Sequence, residues 1–374
     1  MSFQRKAIAL SIDGLGARSL GAYGNSWFKT AHFDRLAAAG LVIEQVLATK
    51  PDEIASLGGA LEHLLDRPEL EWLLLTDNRE VCAELQERVA NATLLAPQCN
   101  SSPAADWTES EVARFFSAAL EAAEELQPGQ LLLLHTDALT RCWDAPLAFR
   151  EALGDEEDPP PPESTAPPAV RLQDDFDPDE LLGWQQIYGA QVQVFDECLG
   201  ILLDWLEDQP QAERPLLLVT APRGFPLGEH RLVGYPEPQL YDELLQVPGL
   251  ILLPGEGLVA VRSSEITTPE ELLTLAAAFV ENRLSAFERF VEQPLPELTQ
   301  PILSLAPGLA AIRTGDWKLI AAGERSELFA KPDDRWEQND VHNRCRDTVD
   351  ELRAELAKLS NLSSVCREAR PDTT

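Results

Sequence analysis

The chain has 374 residues, 44% of them hydrophobic, which is enough for a large buried core. It carries 63 acidic residues against 30 lysines and arginines, a formal net charge of -33 at pH 7. Such a charge repels nucleic-acid backbones and anionic membranes, so we expect neither as a partner. A small anion, a protein or a second copy of the chain remain open as partners, and an anion would need a local basic pocket.

The N-terminal apolar run stops at Asp13 after about five residues, which is shorter than the core of an export signal. The sequence also lacks a run of roughly 20 apolar residues, the length of a membrane helix. We therefore expect a cytoplasmic protein. Its six cysteines are widely spaced without a CxxC pair, which predicts reduced thiols rather than disulfides or a zinc site.

The first part of the chain alternates strand and helix patterns. Apolar runs at 7–12, 42–47 and 72–76 predict buried strands, and helical spacing at 33–39 and 55–65 predicts the helices between them. This order predicts an α/β fold with a large, mostly parallel central sheet flanked by helices.

The same alternation continues with a helix at 109–126, a strand at 131–134 that leads into His135, a helix at 183–208 and a strand at 215–220. Residues 155–180 are dense in proline and acidic side chains and predict an extended, solvated loop, either a lid or a plain surface loop. Arg141 beside Trp143 predicts either the floor of a small anion or sugar site or an anchor for this loop.

The last part of the chain predicts a smaller unit. A helix at 269–283 and a proline-rich linker at 293–307 precede a hairpin, 310–313 with 317–321, and a final helix at 349–359. We therefore divide the chain into an α/β domain, 1–290, which includes the acidic loop 155–180, and a small C-terminal sheet-plus-helix subdomain, 291–374.

Several short motifs resemble the sulfatases, in the alkaline-phosphatase superfamily. After Asp13 at a strand end come LGAYGN at 20–25 and TAHFDRLAAAG at 30–40, similar to the family's L-G-x-Y-G-N and T-P-N-L-D-R-L-A-x-x-G. Later, VPGLILLP at 247–254 and RTGDWKLI at 313–320 resemble its V-P-L-I-I-x-x-P-G strand and R-x-x-x-W/Y-K-L-I signature. The resemblance implies an alkaline-phosphatase-like fold with a site near Asp13.

The resemblance also shows where the chemistry of sulfatases is missing. Their nucleophile lies in C/S-x-P-S-R, and the matching stretch at 48–61, ATKPDEIASLGGAL, places Glu53 on the nucleophile and Leu57 on the arginine. Their metal ligands lie in T-S-D-H-G, where this chain has Pro222 and Arg223. Proline offers no side-chain ligand, and arginine brings its own positive charge. His135 also lacks the second histidine that follows it in the family.

We therefore expect a catalytically degenerate pseudoenzyme with a binding or regulatory role and without a cofactor. Its former metal pocket would contain Asp13, Arg223, Glu229 and His230, with Arg223 replacing the cation. In a second interpretation Asp13 caps its own turn, with Arg18 nearby.

The alternative function is that of a divergent metal-dependent sulfuric or phosphoric ester hydrolase. Its catalytic candidates are Glu53, His135 and His230. Ca or Mg would then bind Asp13, with Asp52 and Glu53 as further oxygen ligands.

Overall fold

The computed structural model describes residues 5–62, 70–255, 259–291 and 301–368. Its β-strands are β1 Ala7–Ile12, β2 Leu41–Leu47, β3 Glu71–Thr76, β4 Asn91–Leu94, β5 Gln130–Thr136, β6 Val170–Arg171, β7 Leu216–Thr220, β8 Leu232–Val233, β9 Gln246–Val247, β10 Leu250–Leu252, β11 Val261–Thr267, β12 Ile302–Ala306, β13 Leu309–Arg313, β14 Trp317–Ala322 and β15 Arg325–Ala330. Its α-helices are α1 Ala31–Ala39, α2 Glu53–Glu62, α3 Arg79–Leu85, α4 Glu111–Glu124, α5 Ala138–Arg141, α6 Leu147–Glu151, α7 Pro178–Asp208, α8 Asp242–Leu245, α9 Pro269–Val280, α10 Glu288–Val291 and α11 Arg346–Glu368.

A nine-stranded sheet forms the centre, in the order β11-β2-β10-β7-β1-β5-β3-β4, with β9 alongside β2. Its pairs are parallel except those made by β9 and β10. All six residues of β1 are buried, as a strand covered on both faces requires. Helix α9 packs on β1, β5 and β7, and α4 packs on β5 and α7. The predicted fold class is confirmed.

The C-terminal unit is a four-stranded antiparallel sheet, β12-β13-β14-β15, with α11 packed on its first three strands. Ile312, Leu319 and Leu328 meet Leu352 and Leu356 of α11 in a small core of their own. The predicted sheet-plus-helix unit is thereby confirmed, while the boundary at 291 stays a prediction. The linker predicted at 293–307 is wrong from Ile302 to Ala306, which form β12; the stretch 292–300 lies outside the described residues.

The acidic loop 155–180 is largely exposed, as predicted, but it is attached to the domain at several points. The buried Arg150 guanidinium donates to the carbonyl oxygens of Pro162 and Ser164, and Trp143 N donates to the carbonyl of Thr165 at 2.8 Å. The backbone of Trp143 is thus bonded to this loop, while its ring packs against Tyr188 and Phe225. The choice between a loop anchor and the floor of an anion or sugar site stays a prediction. The loop also ends earlier than predicted, because α7 begins at Pro178.

The prediction of reduced thiols is wrong for one pair of cysteines. Cys99 and Cys142 form a disulfide across 43 residues, joining the segment before α4 to the end of α5. The pairing depends on chain segments that are distant in sequence, so cysteine spacing alone does not reveal it. Within the described part of the chain, the helices are all too short or too polar to cross a bilayer.

Candidate functional site

Four polar residues follow four neighbouring parallel strands. Strands β7, β1, β5 and β3 are adjacent and parallel, so their carboxyl ends meet at one edge of the sheet. Asp13 follows β1, Asp77 follows β3, Asp137 follows β5, and Arg223 lies just beyond β7. We call this place the carboxyl edge. Ligands of open α/β sheets bind outside such strand ends, which makes the carboxyl edge the candidate site.

Asp13 and Arg223 form a two-bond ion pair at the carboxyl edge. Arg223 Nε donates to Asp13 Oδ1 and Nη2 donates to Oδ2, both at 2.9 Å. Thr140 Oγ1 donates to Oδ2 at 3.0 Å, and the Tyr235 ring lies 3.9 Å from the guanidinium carbon. Burial disfavours the charged form of Arg223, but Asp13 outweighs it and raises the pKa of Arg223. The structure thus brings together the two residues that we expected to pair.

Glu53 and His135 lie beside this ion pair. Glu53 Oε1 is 3.5 Å from Arg223 Nη2, and Glu53 Oε2 is 3.4 Å from His135 Nε2. Oε2 also accepts from Asn78 Nδ2 at 3.1 Å. Burial, followed by the charge of Asp13, raises the pKa of Glu53, against the opposing effect of His135. Burial works against charging His135, yet Glu53 outweighs it and raises the pKa of that imidazole.

A second guanidinium, that of Arg141, forms ion pairs with three carboxylates on the other side of Asn78. Arg141 Nε donates to Asp137 Oδ1 at 2.7 Å, Nη2 donates to Asp77 Oδ2 at 3.1 Å, and Nη1 lies 2.8 and 2.9 Å from the two oxygens of Glu111. Burial, then the neighbouring Asp137, raises the pKa of Asp77 to about 6. Asn78 joins the two groups, because its Nδ2 also donates to Asp137 Oδ2 at 3.0 Å.

Sequence reasoning missed these three carboxylates. Asp77 and Asp137 could have been recognised as site candidates, since each directly follows a buried strand. No sequence pattern singles out Glu111, because it begins α4 and contacts Arg141 only in the tertiary fold.

Glu229 and His230 do not join the Asp13 cluster through any contact of the described residues. His230 Nδ1 is 2.8 Å from Glu243 Oε1, and its ring stacks on Tyr241 at 3.6 Å. Burial opposes the charged imidazole, but Glu243 outweighs it and raises the pKa of His230. Glu229 pairs with Arg18 at 3.0 Å. The expected four-residue pocket is therefore corrected to Asp13 and Arg223, because Glu243 and Arg18 hold the other two residues.

The exposed Asp52 was another expected oxygen ligand. Its Oδ1 accepts from Ala55 N at 2.8 Å in the first turn of α2. This contact caps the helix and does not connect Asp52 to Asp13.

The side chains around Asp13 do not fit a divalent cation. Both oxygens of Asp13 accept from Arg223, and Pro222 has no ligand atom to offer. The Glu53 carboxylate already faces Arg223, Asn78 and His135. A metal ion placed here would meet the positive charge of Arg223 at short range, which is repulsive in a buried site.

Comparisons with known proteins find the fold rather than a close relative. No protein-family model and no curated protein matches the chain. Among solved structures, a protein in complex with its substrate D-glucosamine-2-N,6-O-disulfate has a TM-score of 0.73 at 14% identity, over 99% of this chain and 100% of that one. The fold is that of the sulfatases.

Two further structures share this sulfatase-like fold. A 2-O GAG sulfatase has a TM-score of 0.71 at 14% identity, over 99% of this chain and 95% of that one. The phosphonate monoester hydrolase of Agrobacterium radiobacter has a TM-score of 0.72 at 14% identity, over 96% of both chains. The resemblance seen in the sequence motifs is confirmed at the level of the fold.

Proposed function

We propose that this protein is a catalytically degenerate sulfatase-like protein with a binding or regulatory role. The observation that carries the proposal is the ion pair of Asp13 with Arg223, formed through two bonds of 2.9 Å. The sequence resemblance places Arg223 where sulfatases have a metal ligand. Its guanidinium supplies the positive charge that balances Asp13, so the pocket is neutralised by a side chain.

The residues at the nucleophile positions support the same proposal. Glu53, which falls on the nucleophile position, contacts Arg223, Asn78 and His135. Ser56, the nearest hydroxyl in the motif, is 2% exposed, and its Oγ points to Glu270 Oε1 at 3.5 Å. Loss of the nucleophile costs on the order of a millionfold in the rate of enzymes that depend on one.

One observation favours a second candidate, a divergent metal-dependent hydrolase of sulfuric or phosphoric esters. The carboxylates of Asp13, Asp77 and Asp137 follow strand ends at the carboxyl edge, Glu53 lies 3.4 Å from His135, and oxygen ligands suit Ca or Mg. For this function the Arg223 side chain would have to leave Asp13. The pseudoenzyme requires no such rearrangement.

Metal analysis combined with activity assays separates the two functions. The protein is purified without chelators, its Ca, Mg and Zn content is measured, and hydrolysis of an aryl sulfate, an aryl phosphate and a phosphonate monoester is followed with Ca or Mg added. We expect no stoichiometric metal and equal background rates for the wild type, Asp13→Asn and the control Asp204→Asn, whose carboxylate is exposed. Stoichiometric metal or turnover that disappears only in Asp13→Asn would establish the hydrolase.

The partner in this proposal is a small anion, a protein or a second copy of the chain. For the compartment, the sequence prediction was cytoplasmic, whereas the Cys99–Cys142 disulfide favours an oxidising compartment. Trapping thiols in cells before lysis tests this point, because a cytoplasmic chain should carry both cysteines in the reduced form.

A further inference from the structure

A cavity of about 260 Å³ lies between the large sheet and the C-terminal sheet. Its lining includes four cationic side chains but only two carboxylates, an unusual balance in a chain of net charge -33. We propose that this basic cavity binds a small, doubly charged oxyanion of the phosphate or sulfate type. The charged groups that line the basic cavity are Arg262, Arg313, Lys331, Arg335, Glu44 and Asp242.

Two lysines and two carboxylates at the basic cavity balance each other's charge. Lys318 Nζ is 2.6 Å from Asp242 Oδ1 and 2.8 Å from Glu337 Oε1. Lys331 Nζ is 2.7 Å from Asp242 Oδ2 and 2.8 Å from the same oxygen of Glu337. Burial opposes the charge of Lys318, but Asp242 and then Glu337 outweigh it and raise the pKa of Lys318. Two lysines therefore offset two carboxylates, and Asp242 is already fully engaged.

Arg313 adds a positive charge that this set does not offset. Its residue is 6% exposed, and its Nη2 donates to Gln45 Oε1 at 2.9 Å. Its Nη1 donates to the carbonyl oxygens of Thr314 and Gly315, and no carboxylate among the described residues forms an ion pair with it. Burial lowers the pKa of Arg313, although Asp242, Glu337 and Asp316 act in the opposite direction. A buried guanidinium with neutral partners is stabilised by an anion that enters the cavity.

Arg335 supplies a second such charge at the exposed side of the cavity. Its Nη2 donates to the carbonyl oxygen of Tyr23 at 2.7 Å, and its guanidinium carbon lies 5.5 Å from the Trp336 ring. Within the described ranges it has no ion pair with a carboxylate. Arg262 differs, because Glu44 pairs with it at 2.9 Å.

The charge requirement and the geometry of arginine together define the ligand class. Arg313 and Arg335 contribute two positive charges without carboxylate partners, which matches an anion of charge -2. Each guanidinium has five N–H donors arranged in a planar fork, and the bonds described here use three on Arg313 and one on Arg335. Phosphate and sulfate oxygens accept such paired bonds.

This inference does not depend on the proposed function. Among the described residues, the lining of the basic cavity and the Asp13 cluster have no member in common. The anion site would therefore exist whether the carboxyl edge is catalytic or inert.

Calorimetric titration of the full chain with inorganic phosphate and with sulfate, in low-salt buffer, tests the proposal. We expect saturable binding to the wild type and binding about tenfold weaker or worse in Arg335→Gln and Arg313→Gln, because each removes a charge-assisted contact. The matched control Arg35→Gln removes one positive charge outside the lining of the cavity, where Arg35 pairs with Asp204 and Glu207, and should bind like the wild type.

Arg335 is exposed, so Arg335→Gln keeps the test valid if the variant at the buried Arg313 fails to fold. Wild-type binding that fails to saturate by concentrations on the order of 10 mM would overturn the proposal. Equal affinities of Arg335→Gln and Arg35→Gln would also overturn it. Titration with chloride should show no saturable binding, and affinity for chloride equal to that for sulfate would contradict recognition of a dianion.

Discussion

Asp13 and Arg223 join the ends of two adjacent strands across 210 residues of chain, through paired bonds of 2.9 Å. The backbone supports the pair, because Gly14 N donates to the carbonyl oxygen of Arg223 at 3.1 Å. Asp13 is fully buried, whereas the Arg223 side chain is 15% exposed. The carboxylate therefore depends on the guanidinium for its charge compensation.

Replacing Arg223 by leucine should destabilise the protein by about 3 kcal/mol or more, because Asp13 would be left buried and unpaired. The free energy of unfolding from urea denaturation measures this loss. Arg35→Leu is the matched control, since Arg35 also contacts two carboxylates, Asp204 and Glu207, but at the surface. Exposed pairs contribute at most about 1 kcal/mol.

The double variant Asp13→Asn/Arg223→Leu identifies the source of that loss. If the cost arises from the unpaired charge of Asp13, the double variant should be more stable than Arg223→Leu alone. An Arg223→Leu variant that loses no more stability than Arg35→Leu would contradict this account.

Asp77 should make the protein less stable as the pH rises from about 4 to about 7. Its pKa is raised from 3.8 to about 6 by burial and by Asp137, so the folded state holds the proton more tightly than the unfolded state. The stabilisation is complete below the unfolded pKa and is lost as the pH passes the folded pKa. It amounts to about 1–3 kcal/mol.

Urea denaturation at several pH values, compared between the wild type and Asp77→Asn, measures this contribution. The decline in stability between about pH 4 and pH 7 should be smaller in Asp77→Asn, because asparagine does not titrate. Asp208→Asn, at an exposed position, should decline like the wild type. Identical pH profiles for all three proteins would show that Asp77 is not the titrating group.

The position of a strand in the sheet explains which strands the sequence predicted. Strands β1, β5 and β7 lie in the middle of the sheet and are buried on both faces, so selection for burial leaves continuous apolar runs. Within the central sheet, the two strands that sequence reasoning missed, β4 and β11, lie at the two ends of the same order. An end strand has a single neighbour, so its residues stay more polar; β4 is mostly exposed.

The candidate site, too, could be predicted only in part from the sequence. The pairing of Asp13 with Arg223 could be predicted from the sequence because a family resemblance aligned both positions. The grouping of Asp77 and Glu111 around Arg141 could not be predicted, because it requires β3 to lie beside β5 and α4 to begin nearby. The order of strands in a sheet does not follow their order in the chain, so residue patterns alone could not bring these side chains together.

The Cys99–Cys142 disulfide should stabilise the protein by up to about 4 kcal/mol, the chain-entropy expectation for closing a loop of 43 residues. Urea denaturation of the wild type with and without a reducing agent measures this effect. The variant Cys99→Ser/Cys142→Ser should match the reduced wild type and should not respond to reductant. Cys82→Ser, which changes a free cysteine, is the control and should retain the full response. A response to reductant in the double variant would assign the effect to another pair.

Gly224, which follows Arg223, allows two backbone segments to approach each other closely. A Cβ at this position would lie 2.3 Å from the carbonyl oxygen of Glu243 and 3.2 Å from Gly16 Cα, and neither backbone atom can move aside cheaply. Gly224→Ala should therefore cost about 1–3 kcal/mol of unfolding free energy, the usual effect of overpacking.

Gly58→Ala is the contrasting control, because Gly58 lies within α2 and its nearest neighbour would be Arg88 Nη1 at 3.5 Å. There alanine should stabilise the helix by about 0.5–1 kcal/mol. Equal effects of the two substitutions would show that close backbone contact at Gly224 does not constrain this edge of the sheet.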